Sequence, residues 1–222
     1  CNKIGQKNIV DYSNGRTLYG LDVTNEIQFN LQQFYNRSTY VSFNSIASEK
    51  NLPPSVDILV VLGVGLGQFL INLLDDVTMS HLVIYEPEVQ YFQSSILVND
   101  WDYVLDKAKE KGTRLYFQLG KDARDIIYDM EELTEYFPSE GFYLYQHYHH
   151  PMFDSIVDSV RKYSWTECRE KGIRFQDYTA NNYLPKWLLS IDPDSLKDAE
   201  SVRRQKFNQN IAAFSRYFPE AA

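Results

Sequence analysis

Two cysteines, Cys1 and Cys168, in 222 residues cannot form a disulfide framework. Stability must therefore come from a buried core, and a reducing, cytoplasmic setting is the expectation. Only four histidines are present and no cysteine pair stands at zinc spacing, so no metal site is expected. No apolar run approaches the roughly 18 residues of a membrane span, and no secretory signal opens the chain. G-x-S-x-G, G-K-[ST] and H-E-x-x-H are all missing, which removes the esterases, nucleotide triphosphatases and metalloproteases that a sequence most readily announces. Basic residues are in deficit, 22 Lys and Arg against 30 Asp and Glu for a net charge of −8. A polyanion would be repelled, so no nucleic-acid partner is expected. The one basic stretch, with Arg161, Lys162, Arg169, Lys171 and Arg174, is interrupted by Glu167 and Glu170 and reads as a solvated helix face. There is no repeat, no low-complexity tract and no initiating methionine. The chain opens on Cys1 and closes on "NIAAFSRYFPEAA", and the expectation is a piece of a longer protein.

What is present is a core. Hydrophobic residues make up 44% of the chain and charged residues 23%, the balance of a folded globular domain. "KNIVDYSNGRTLYG" predicts a hairpin around Asn14-Gly15. A helix follows, capped by Thr24 and carrying Ile27, Leu31, Phe34 and Tyr35 at helical spacing. "YVSFNSI" predicts a short strand and "NLPPSVD" a rigid connector. Alternation then sets in: strands "VDILVVLG", "HLVIYEP", "TRLYFQLG" and "GFYLYQHY", separated by helical "GQFLINLLDD", "PEVQYFQSSILVND", "WDYVLDKAKEKG" and "KDARDIIYDMEELTEYF", with a helix over "PMFDSIVDSVRKYSW" after the last. This order predicts an α/β, Rossmann-like (methyltransferase-like), mainly parallel sheet with helices on both faces. The division expected is an N-terminal hairpin and helix extension over 1–52, the Rossmann-like domain over 53–177, and C-terminal helices over 178–222. In that last part "YLPKWLLSID" and the segment bearing Phe207, Ile211, Phe214 and Phe218 read as helices. The four apolar residues would form one packing stripe, against this domain or a following one.

Chemistry concentrates at "VVLGVGLGQFL". Gly63, Gly65 and Gly67 follow a strand and precede a helix, the place where a nucleotide-binding turn brings backbone N–H groups to an anionic ligand. Glu86, 23 residues after Gly63 at the end of the next strand, stands where an acid would hold ribose hydroxyls. The spacing is G-x-G-x-G. It resembles the first motif of S-adenosylmethionine-dependent methyltransferases, but the position two before Gly63, acidic in those enzymes, is Val61. Two readings stay open: a site for a nucleotide, a CMP-sugar or S-adenosylmethionine, or a turn that only lets the helix pack close.

Gln146 and His147, in "YQHYHHP", leave the fourth strand on the same rim and are candidate ligand contacts. His149 and His150 accompany them, with a hydrogen-bonded loop into the helix at Pro151 as the plainer reading. Asp122 and Asp125 open a helix as first-turn acids, and Asp122 is placed to reach the base of a nucleotide bound on the rim. No residue is assigned a catalytic role.

The set "VLGVGLGQFLINLL", "LVIYEPEVQYFQSSILVNDW", "LYFQLGKDARD" and "FYLYQHYHHPMFDSIV" resembles, in order and spacing from about Asp57 to Trp165, the N-terminal region of the motility accessory factor (Maf) glycosyltransferases. The resemblance implies a cytoplasmic bacterial parent that transfers a nonulosonic acid, such as pseudaminic or legionaminic acid, from its CMP-activated form to Ser or Thr of flagellin, for filament assembly and motility. It implies flagellin and the parent's own central catalytic domain as partners. It carries no catalytic residue onto this chain, because the family's transfer chemistry is assigned to the central domain. The alternatives are a methyltransferase-like enzyme using S-adenosylmethionine and a ligand-free Rossmann-like interaction module.

Overall fold

The computed structural model describes residues 6–11, 15–120, 126–171 and 201–219. Its centre is β5 (Ser55–Leu62), whose residues from Leu59 to Leu62 are completely buried. Alternate side chains serve opposite faces: Leu59 and Val61 join one core cluster, Ile58, Val60 and Leu62 the other. A strand covered on both sides has no solvent face, so its sequence shows a continuous apolar run in place of polar–apolar alternation.

Six strands form the sheet in the order β4–β3–β8–β5–β6–β7. β5, β6 (Thr78–Glu86), β7 (Arg114–Leu119) and β8 (Gly141–Gln146) are parallel, while β3 (Ser38–Ser42) and β4 (Ser48–Lys50) extend one edge antiparallel. The chain steps outward from β5 through β6 to β7, then returns to the far side of β5 as β8. The strand order therefore reverses between β5 and β8, and open α/β sheets bind ligands outside the carboxyl ends of such a pair.

Helices cover both faces. On one lie α1 (Val23–Asn36), α2 (Phe69–Asp76), α3 (Val89–Val98), α4 (Trp101–Glu110) and α8 (Ser201–Tyr217). On the other lie α5 (Ile126–Tyr136), α6 (Pro151–Lys162) and α7 (Trp165–Glu170). The expected α/β, mainly parallel architecture with helices on both faces is what the chain adopts. The first 52 residues contribute β3 and β4 to this same sheet, besides α1 and the small hairpin β1 (Val10–Asp11) and β2 (Arg16–Thr17).

Two local expectations are corrected. The cap of α1 is Asp22, whose carboxylate accepts the Asn25 N–H at 3.1 Å; Thr24 already lies within the helix, which begins at Val23. β4 was not expected from sequence, while α7 falls within the basic stretch read as a helix face. β4 is three exposed polar residues paired to β3, and α7 is one short helix opened by a Ser164–Glu167 capping box.

The stripe on α8 packs on this domain. Phe214 is fully buried with Phe92, Trp101 and Phe117 around it, at ring-centroid distances of 5.9, 5.2 and 6.0 Å. Phe207 is also buried, and Ile211 and Phe218 pack on the same cluster. Buried Asn210 fixes the register: its carbonyl accepts the Trp101 N–H at 3.1 Å, and its amide donates to Ile96 and Asn99 carbonyls at 2.7 and 3.0 Å. One side chain thus satisfies free backbone groups at the end of α3 and the start of α4. "YLPKWLLSID" lies outside the described residues.

Candidate functional site

The glycine loop runs from Gly63 to Gly67 over the carboxyl end of β5. All three glycines have positive φ, at 91°, 51° and 73°, a region other residues enter at a cost. The loop turns two successive amides, Val64 and Gly65, toward the end of β6, the kind of donor pair that holds an anion. The anion found there is the protein's own.

Glu86, completely buried at the end of β6, places Oε2 against the Val64 and Gly65 N–H groups at 2.8 and 3.0 Å. Its Oε1 accepts the Glu88 N–H at 3.0 Å and the Tyr148 hydroxyl at 2.6 Å. Four donors converge on one carboxylate, which ties the loop, β6 and the exit of β8 together. Burial pushes the Glu86 carboxyl up to about 7, against these hydrogen bonds, which favour its ionised form. The hydroxyl of Tyr148 in turn is held protonated, its pKa raised by burial and by the Glu86 charge.

The remaining space is filled by side chains from distant parts of the chain. A Cβ on Gly63 would overlap the ring of Tyr148, and one on Gly65 the hydroxyl of Tyr19. A Cβ on Gly67 would stand 2.8 Å from the Asn99 amide nitrogen, which itself donates to the Gly67 carbonyl at 3.0 Å. Tyr19 accepts the Leu66 N–H at 3.1 Å and shares a 2.8 Å hydrogen bond with Nε2 of His147. The glycines admit tyrosine and asparagine where a nucleotide fold would admit a ligand.

His147 lies beneath Tyr19, stacked on Phe69 at 4.1 Å, with Nδ1 3.2 Å from the Tyr145 hydroxyl. Both ring nitrogens are engaged. Burial pushes its pKa down to about 3, so the ring is neutral at physiological pH. Gln146 donates to Asp154 at 2.6 Å and to the Tyr148 carbonyl at 3.2 Å. His149 is exposed beside Asp154, and His150 caps α6 through the Met152 N–H. The three neighbouring imidazoles thus serve three separate tasks, and among the described residues no group of three or more His, Cys, Asp or Glu could hold a metal ion. No described helix is long and apolar enough to cross a membrane.

The structure brings Gly63, Gly65, Gly67, Glu86 and His147 into one contact network, with Gln146 at its edge; Asp122 lies outside the described residues. Tyr19, Asn99 and Tyr148, which complete the network, were not singled out from sequence. Tyr148 could have been found as the neighbour of His147, but nothing marks Tyr19 as a partner of Leu66.

The fold resembles that of the Maf glycosyltransferase from Magnetospirillum magneticum AMB-1, with a TM-score of 0.55 and 17% sequence identity. The match covers 72% of this chain and 29% of that one, so the chain spans well under half of that structure. No curated protein sequence matches. The model of the glycosyltransferase Maf N-terminal domain matches residues 3–164, most of the chain and all of the glycine-loop network, and the chain therefore belongs to that family.

Proposed function

We propose that this chain is the accessory N-terminal domain of a Maf-type glycosyltransferase. Its parent transfers a nonulosonic acid, pseudaminic or legionaminic, from a CMP-activated donor to Ser or Thr of flagellin in the cytoplasm, in support of flagellar assembly and motility. Family membership supports the glycosyltransferase reading. The observation that carries the accessory role is the occupied loop: the Val64 and Gly65 amides, which a nucleotide would need, are both spent on Glu86. Gly63, Gly65, Gly67, Glu86 and His147 act in this reading as a clasp that fixes the carboxyl edge of the sheet. The partners of the segment are the parent's central domain and flagellin.

The biological half is tested by the mass of flagellin from cells whose parent gene is disrupted. Loss of the nonulosonic acid increments is expected, and an unchanged mass overturns it. The accessory half is tested by thermal melts of the chain with CMP and with S-adenosylmethionine, neither of which should raise Tm. A rise with S-adenosylmethionine that vanishes in Glu86→Ala would install a methyltransferase-like enzyme in its place.

A further inference from the structure

The side chains that fill the glycine loop also floor a larger space next to it. Beyond Tyr145, His147 and Tyr148, a cleft of about 840 Å³ opens at the carboxyl end of β8. It is walled by Asn30 and Gln33 of α1 on one side and by Val157 and Arg161 of α6 on the other. This volume lies within the range of small-molecule sites, and the cleft adjoins the reversal in strand order outside which this class of sheet binds ligands.

The rim has an unusual charge arrangement for a protein of net charge −8. Arg37 donates to Glu49 at 2.5 Å, and Arg161 approaches the other oxygen of the same carboxylate at 3.7 Å while donating to Thr39 at 3.3 Å. Among the described residues two guanidinium groups thus share one carboxylate. Both arginines are more than half exposed, so neither pair is sealed against exchange with a solute. Guanidinium groups bind carboxylate and phosphate oxygens in a fixed fork. Glu49 and the amides of Asn30 and Gln33 supply acceptors and donors for hydroxyls, and Tyr91 and Tyr148 also line the wall.

We propose that this cleft binds a small polyhydroxylated acid, its anionic group on Arg37 and Arg161 and its hydroxyls on Glu49 and the α1 amides. The ligand chemistry is a polyol bearing one carboxylate or phosphate. The inference stands on the cleft itself and does not require the glycosyltransferase reading, since a domain with no role in flagellin modification could still hold such a ligand.

The test is a titration of the isotope-labelled chain, followed by amide chemical shifts, with D-glucuronate, D-glucose 6-phosphate, D-glucose and inorganic phosphate. Shifts are expected at Arg37, Thr39, Gln146 and His149 with at least one of the two acidic sugars. Glucose and inorganic phosphate should bind about tenfold more weakly or worse, because each engages only half of the site. Which acidic sugar binds more tightly distinguishes carboxylate from phosphate as the anion. Arg37→Gln and Arg161→Gln, both exposed and checked for folding by their melts, should each lose about tenfold in affinity. Glu49→Gln should bind the acid more tightly, because the competing carboxylate is gone while the amide oxygen still accepts a hydroxyl. A rim residue with only a structural role would not give that gain. The proposal is overturned if neither acidic sugar shifts these amides at about 10 mM, if glucose binds as well as the acids, or if Glu49→Gln weakens binding as the arginine variants do.

Discussion

If Gly65 is a glycine because Tyr19 occupies the place of its side chain, then Gly65→Ala should cost more while the Tyr19 hydroxyl is there than after it is removed. The alanine must first hold a left-handed backbone, φ 51°, at about 1–2 kcal/mol. Its Cβ would also overlap the Tyr19 hydroxyl. Displacing that group strands the buried Leu66 N–H, which it accepts at 3.1 Å, at about 1–3 kcal/mol more. Gly65→Ala should therefore destabilise by about 2–5 kcal/mol, a fall in Tm of about 5–15 °C for a chain of this size. In a Tyr19→Phe background the hydroxyl and its hydrogen bonds are already gone, so the same substitution should cost only the backbone term. A double-mutant cycle by urea unfolding, read by the fluorescence of buried Trp101 and Trp165, should give a coupling of about 1–3 kcal/mol. Additivity within about 0.5 kcal/mol would show that the glycine does not serve Tyr19, and the reading of the loop as closed by the protein would fail.

Two buried groups should oppose each other with pH. Glu86, raised by burial to about 7, binds its proton more tightly folded than unfolded, so its contribution to stability grows as pH falls from about 7 to 4.5. His147, lowered by burial to about 3, is protonated more readily unfolded, so its contribution is lost as pH falls below 6.5; each group is worth about 1.4 kcal/mol per pH unit within its window. In denaturant melts the unsubstituted chain should accordingly gain stability relative to Glu86→Gln as pH falls, by up to about 3 kcal/mol near pH 4.5, and a constant difference would contradict this. Asn210→Ala, which strands the Trp101 N–H and two helix-end carbonyls, should cost about 2–4 kcal/mol in the same assay, and a loss under about 0.5 kcal/mol would detach α8 from the account. Phe214→Ala, which opens a void among Phe92, Trp101 and Phe117, should cost about 3–5 kcal/mol.

Much of the architecture could be read along the chain because it is set by local pattern. The apolar run at 58–62 and the strand ends at Pro87 and Gly120 bracket the parallel strands, and helical spacing marks the segments between them. The parts that escaped are those fixed by distant partners. β4 has no apolar pattern of its own, and Asp22 takes the α1 cap by geometry that Thr24 could equally have offered on paper. The glycine loop shows the same division. Gly63, Gly65, Gly67 and Glu86 could be placed together from spacing alone. Whether Glu86 faces outward to a ribose or inward to the Val64 and Gly65 amides depends on what else fills the notch. That is decided by Tyr19, 47 residues before Leu66, and by Tyr148, 62 residues after Glu86.

The closed loop is held by the amides of Val64, Gly65 and Leu66. Hydrogen exchange of the free chain, read residue by residue, should find all three protected to the level of the buried β5 strand, with no change on addition of CMP or S-adenosylmethionine. Rapid exchange in the free chain, or protection that arrives only with one of those compounds, would mean that the loop is open and awaits a ligand.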